Sequence, residues 1–308
     1  MINRRNIRVK VMQTLYTITA VETETKPGDA VKILQKHFDQ TRQLFIYLVY
    51  FLSELARYTE TDAHTRASKH LPTYEDLHVN TKLSGNEILL KINEDPSFKE
   101  FVKKDHPESL FDKELIRKVY HDLVETKEYK AYIEKPKREK KDERDILEFT
   151  LEKLMLEKEN FLSHIEENFS NWDDDAEMVI LLLANYLQKP AGYNFKEMIS
   201  EEKWNFAKDL LQTVREKSEH LEGLVIPKLK NWDPERIALL DMILMKMGVA
   251  EFLYFETIPP KVTINEYIDL AKEYSTSQSG QFVNGILDNI HKELVQQGKM
   301  HKVDFRKA

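Results

Sequence analysis

The sequence contains no cysteine. That excludes disulfides, thiolate metal ligands and cysteine nucleophiles together. Glycine is scarce, with eight among 308 residues, and the Val/Thr alternation between glycine turns that marks strands is hardly seen. No uncharged apolar run approaches the roughly 18 residues of a membrane span. The N-terminal stretch MINRRNIRVK is charged and lacks the apolar segment of a secretory signal, so a cytoplasmic protein with no membrane contact is expected. Catalytic signatures are missing too. The ten histidines include no HExxH pair for zinc, and no GxSxG elbow or dinucleotide fingerprint occurs. Gly280 to Gly285 has the glycine spacing of a phosphate loop, but Ile286 and Leu287 stand where Lys and Ser/Thr would hold phosphate and magnesium. The expectation is a binding protein, not an enzyme, without cofactor or metal.

What is present is charge and helical periodicity. Residues are 32% charged and 41% hydrophobic, the composition of a soluble helical protein. The net charge of −7 argues against attraction of the whole chain to nucleic acid, yet screening beyond roughly 8 Å leaves room for a local patch. The first 20 residues supply one: Arg4, Arg5, Arg8 and Lys10, with no acid. The spacing predicts a helix over Asn3 to Ala20, with Ile7, Val11, Leu15 and Ile18 on one face. Arg5, Met12 and Tyr16 then share a flank, with Arg8 between flank and core. Guanidiniums beside an exposed aromatic ring suit single-stranded RNA; taken alone they fit a solvated basic arm better, short basic runs being common.

The stretch Asp233 to Phe255, DPERIALLDMILMKMGVAEFLYF, is apolar around nearly its whole circumference, as a helix at the centre of a bundle would be. Asp233 is its expected N-cap and Pro234 its first residue. Asp241, Lys246 and Glu251 interrupt it. A buried unpaired carboxylate costs several kcal/mol, so Asp241 must pair with a neighbour such as Lys246 or Arg236, or face outward. Helices are expected again from Lys261 to Tyr274 and, after the polar turn Ser275 to Ser279, along the stripe Phe282, Ile286, Leu287, Ile290 and Leu294.

The series formed by this helix, PPKVTINEYIDLAKEY and S-x-x-S-x-x-FVNGILD resembles the C-terminal half of the NusB family of bacterial transcription antitermination factors, over about Trp204 to Leu294. The N-terminal helix is similar as well: Arg4, Arg5, Arg8, Gln13, Leu15 and Tyr16 are in register with the family's form RRxxRxxxxQxLY. The resemblance implies an all-α protein, a NusB-like pair of helical bundles with the N-terminal one enlarged by an inserted helical region. It implies binding of boxA-like single-stranded RNA together with the small-subunit ribosomal protein NusE, in the RNA polymerase antitermination complex that acts in ribosomal-RNA transcription. By position, Arg4, Arg5, Arg8, Lys10 and Tyr16, with Gln278, Ser279, Gln281 and Phe282, would form the RNA surface, and Asp241 would meet NusE. The sequence departs from the family pattern at Gln278, Gly280 and Gln281, where many members carry an acid, a His or Gly, and a Lys. Two other readings are a helical scaffold without RNA binding and a NusB-like module of a ribosomal-RNA methyltransferase system. The latter would need a cofactor-binding α/β domain and a catalytic cysteine.

Four segments are expected: residues 1–22, the Arg-rich helix; 23–200, a helical insert; 201–297, the C-terminal bundle; and 298–308, a basic tail. Within the insert the spacing predicts a helix over Asp29 to Tyr58, a loop over Arg57 to Thr81, a short helix over Gly85 to Asn93, and helices over Leu110 to Tyr132 and Asp145 to Phe169. The basic run Glu134 to Lys141 reads as a solvated loop or a second RNA patch. Asp173, Asp174 and Asp175 read as a cap and first-turn acids of a helix over Ala176 to Leu187.

Overall fold

The structure is a computed structural model that describes residues 2–20, 26, 28–190, 194–229, 233 and 236–303. Every regular element among these is helical. The chain divides into two units, one of Asp39–Met198 and the other of Ile2–Phe38 with Ile199–Ala308.

In order, α1 spans Arg4–Ala20 and α2 spans Asp29–Ala67. The predicted loop after residue 57 is therefore helix for another ten residues. Its apolar positions are taken by buried Thr59 and Asp62, which hide the period from a hydrophobicity count. Thr59 Oγ1 donates to Ala56 O at 2.8 Å, and Asp62 holds Arg66 at 2.8 Å. The short α3, Tyr74–Leu77, is closed by a capping box of Thr73 and Asp76.

Side-chain caps punctuate the rest of this unit. Asn86 starts α4 (Glu87–Glu94), Asp95 with Pro96 starts α5 (Pro96–Asp105), and Asp112 starts α6 (Lys113–Glu125). The helix predicted through Tyr132 is two helices, because Thr126 Oγ1 accepts from Tyr129 N–H and opens α7, Lys127–Glu134. The helix predicted over Asp145 to Phe169 is also divided. Helix α8 (Lys140–Phe149) widens into a π turn at Thr150–Met155, and α9 is Glu159–Asn168. Helix α10 is Trp172–Gln188, with the three aspartates in its first turn. Asp175 is buried and accepts from Thr41 Oγ1 and Asn171 Nδ2, each at 2.6 Å.

The core of this unit gathers on α2, where Leu44 to Val49 are all fully buried. Phe51 meets Phe161 edge-on at 4.8 Å, and Phe45 lies 5.4 Å from Phe195. The basic run turns partly inward: Arg138 pairs with fully buried Glu143 at 3.0 Å and donates to Lys82 O at 2.7 Å.

The other unit contains α1, the start of α2, and five more helices: α11 (Glu201–Glu216), α12 (Ser218–Val225), α13 (Leu239–Tyr254), α14 (Pro260–Tyr274) and α15 (Ser279–Gln296). Helix α13 is the expected central helix, packed by α1, α11, α12, α14 and α15. It begins later than predicted. Ala238 is extended at φ −56°, ψ 131° and occupies the N-cap position. Asp233 instead accepts the Arg236 N–H through its carbonyl, 3.0 Å away; Pro234 lies outside the described residues. At the other end, Lys302 Nζ donates to the carbonyls of Glu251 and Phe255, 2.7 Å each, closing the last turn of α13. No helix among the described residues is long and apolar enough to cross a membrane.

Candidate nucleic-acid interface

The basic segment at the N-terminus is sorted by α1 into outer and inner cations. The buried face is broader than the sequence stripe: Val9 and Met12 are buried along with Ile7, Val11 and Leu15, because α1 packs on both α11 and α13. Arg8 (2% exposed) and Lys10 (1%) go inward with them. Both were expected on the RNA surface, and neither side chain is there to meet a phosphate.

Arg8 makes a two-pronged ion pair with fully buried Glu251 of α13, Nε to Oε1 at 2.7 Å and Nη2 to Oε2 at 3.0 Å. Glu266 adds a contact at 3.3 Å. Thr263 Oγ1 and Tyr267 Oη donate to the remaining Glu251 lone pairs at 2.9 and 2.8 Å. Burial alone disfavours the Arg8 charge, but the bond to Glu251 and its negative charge outweigh this and raise the guanidinium above its ordinary pKa. Burial, followed by the Glu251 charge, pushes the Tyr267 hydroxyl well up. Such a cluster holds α1 against α13 and α14. In the sequence its only sign was a glutamate placed inside an apolar helix.

Arg4 and Arg5 remain at the surface. Arg4 pairs with Glu202 at 3.0 Å and lies over the Phe206 ring. Arg5 reaches Glu273 at 2.8 Å and Asp269 at 3.8 Å, both on α14. Asp269 also receives Lys272 at 3.8 Å. The Lys272 stem lies over Gly280, where an added Cβ would come within 2.7 Å of Lys272 Cγ. Arg5, Asp269, Lys272 and Gly280 thus connect the first turn of α1 to the first turn of α15. Lys272 carried no site signal in the sequence, where it stands only within the helix PPKVTINEYIDLAKEY. It brings a cation to the turn that carries Gln281.

In that turn Gln278 and Gln281 are exposed and Phe282 is half-buried, but Ser279 is 2% exposed. Its hydroxyl donates to Asp241 Oδ2 at 2.8 Å and lies 2.9 Å from Thr276 Oγ1. Asp241, only 6% exposed, is therefore not the outward charge expected to meet a partner, nor is it paired with Lys246, which binds Ser218 and Glu222. It supports the turn from beneath. Tyr16 is 46% exposed, eleven residues from Arg5 and so about 16 Å along α1. Buried Val9 and Met12 lie between them, so the continuous strip of Arg5, Met12 and Tyr16 expected from the sequence is two separate exposures. The outer arginines sit in exposed ion pairs, each contributing about 0–1 kcal/mol, which a phosphate can replace at small cost. Among the described residues there is no group of three side chains suited to a metal ion.

The family model described as NusB family matches residues 168–292. The chain is 39% identical over 98 residues to the transcription antitermination protein NusB of Chloroherpeton thalassium, covering 32% of this chain and 46% of that protein. It is 40% identical over 98 residues to the protein of the same name from Salinibacter ruber, covering 32% and 61%. The figure for Methylacidiphilum infernorum is 43% over 83 residues, covering 27% and 58%. The chain thus spans about half the length of the curated relatives it matches. A solved structure of T. maritima NusB is 34% identical with a TM-score of 0.30, covering 32% of this chain and 68% of that one.

Proposed function

Because residues 168–292 of this chain carry a NusB family domain, we propose that the protein is a NusB-type transcription antitermination factor. Its ligand in this reading is boxA-like single-stranded RNA, bound together with the small-subunit ribosomal protein NusE in the RNA polymerase antitermination complex on ribosomal-RNA transcripts. The observation that carries the RNA half of the proposal is Arg5, which links the basic first turn of α1 through Asp269 and Lys272 to the turn that starts α15. Arg4, Arg5 and Lys272 supply cations, Gln278 and Gln281 supply amide groups, and Tyr16 and Phe282 supply rings for stacking. Arg8, Lys10, Ser279 and Asp241 serve this surface from inside, as supports. The partner half rests on the family resemblance alone, and residues 39–167, outside the matched stretch of 168–292, are an accessory helical addition.

The test is binding of a labelled boxA RNA by the full chain, with and without NusE. Arg4→Ala with Arg5→Ala should weaken RNA binding and lower its salt slope by up to about 1.4, or about 0.7 per phosphate contact on a single strand. NusE should then be retained by the unmodified protein more strongly with RNA than without. An unchanged slope and affinity in the double variant would remove the N-terminal turn from the RNA surface, and failure to retain NusE under either condition would remove the partner.

A further inference from the structure

Within the unit of residues 39–198, the C-terminal half of α2 and the N-terminal half of α6 enclose an open groove of about 830 Å³. Arg57, Arg66, Lys69, Lys113 and Arg117 line it, against three carboxylates, Glu54, Asp62 and Glu114. On a chain of net charge −7, this groove reverses the sign locally. The two walls hold their cations differently. On the α2 side Glu54 binds Arg57 at 2.6 Å, Asp62 binds Arg66 at 2.8 Å and Asp76 binds Lys69 at 2.7 Å. On the α6 side Arg117 has Glu114 only at 3.8 Å, and among the described residues no ion pair engages Lys113. Both α6 cations are exposed.

Two half-buried rings complete the groove, Tyr58 and Phe111. Each is steadied from behind by an edge contact, Tyr58 with Tyr120 at 5.1 Å and Phe111 with Tyr50 at 6.2 Å. A stacking platform needs such a ring, fixed by its neighbours and presented beside cations.

We propose that this groove is a second binding site, taking a segment of single-stranded RNA with phosphates on Lys113 and Arg117 and bases against Tyr58 and Phe111. The length of the site favours a strand over a lone phosphate, since Arg57 and Arg66 are nine residues apart and so about 13 Å along α2. The rings favour an unpaired strand over a duplex, whose bases are stacked within the helix and out of reach. The groove shares no residue with the proposed boxA surface, and all of its lining lies in the unit of residues 39–198.

The experiment uses the full chain in an Arg4→Ala, Arg5→Ala background, which weakens the other surface, and a labelled oligouridylate as probe. Lys113→Ala with Arg117→Ala should weaken binding about 25-fold at 0.1 M salt and reduce the salt slope by about 1.4. The charge-keeping pair Lys113→Arg with Arg117→Lys should retain the slope. Should the Ala pair lower the melting temperature, Lys113→Gln at its exposed position carries the test alone, with an expected slope loss of about 0.7. Unchanged affinity and slope in the neutral variants overturn the proposal. So does complete displacement of the RNA by inorganic phosphate or uridine monophosphate at low millimolar concentration, which would mark a site for small phosphates.

Discussion

Arg8 and Glu251 meet as a buried, two-pronged ion pair although 243 positions separate them in the chain. Removing one partner of such a pair leaves the other charge buried and unpaired. Arg8→Ala should therefore destabilise the protein by about 3–5 kcal/mol in urea unfolding. The double variant Arg8→Met with Glu251→Met should recover part of that loss but not all, because Thr263 and Tyr267 would lose the acceptor of their hydroxyl protons. A stability loss below 1 kcal/mol for Arg8→Ala, with RNA binding lost, would make Arg8 a surface contact after all.

Ser279 and Asp241 make a second buried pair, and here the carboxylate has one oxygen, Oδ1, with no hydrogen-bond partner among the described residues. Ser279→Ala should cost about 1–3 kcal/mol by leaving the carboxylate without its donor. Asp241→Lys should lower the melting temperature strongly, and NusE affinity should fall only in proportion to the folded fraction. Normal stability with lost affinity would show that Asp241 meets the partner directly.

Gly248 and Gly285 carry the same residue type under opposite constraints. A Cβ on Gly248 would stand 2.9 Å from both terminal carbons of Leu287 and 3.3 Å from Tyr267 Cδ2, all in the core of α13, α14 and α15. A Cβ on Gly285 would meet nothing within 4 Å. Gly248→Ala is expected to destabilise by about 1–3 kcal/mol through overpacking. Gly285→Ala should stabilise by about 0.5–1 kcal/mol through helix propensity. Thermal melts of the two variants side by side decide the matter, and equal effects would contradict it.

His164 provides a pH dependence in the other unit. Its Nε2 lies 2.5 Å from Tyr47 Oη, and burial lowers its pKa below 6.5, with Asp112 and Glu167 opposing. As pH falls through 6.5 the unfolded chain takes up the proton first, so stability contributed by the neutral ring is lost from there down to the folded pKa. His164→Gln should shrink the difference between urea midpoints at pH 7.5 and 5.5. An identical difference in both proteins would show that His164 titrates as freely as in the unfolded chain.

Much of the architecture was legible in the residues alone. An all-round apolar run with isolated charges specifies a central helix wherever it sits, and α13 is that helix. Period-3.6 stripes located α1, α14 and α15 to within a residue or two, since burying one face is a local demand of the sequence. The missing cysteines and the sparse glycines had already removed thiolate chemistry and turn-rich sheet folds. Three matters waited for the tertiary structure. A helical wheel assumes one core, whereas α1 is packed on more than one side, and only that packing sends Arg8 and Lys10 inward while Arg4 and Arg5 stay out. The partner that makes a buried Arg8 affordable in free energy is a glutamate from the far end of the chain, which no local window contains. Helix α2 continued past residue 57 because Thr59 and Asp62 could be buried with their polar atoms bonded, a condition set by neighbours in space. Lys272 reached the α15 turn by lying across a glycine on another helix. Each of these depends on which distant groups complete a charge or a hydrogen bond, and periodicity carries no record of that.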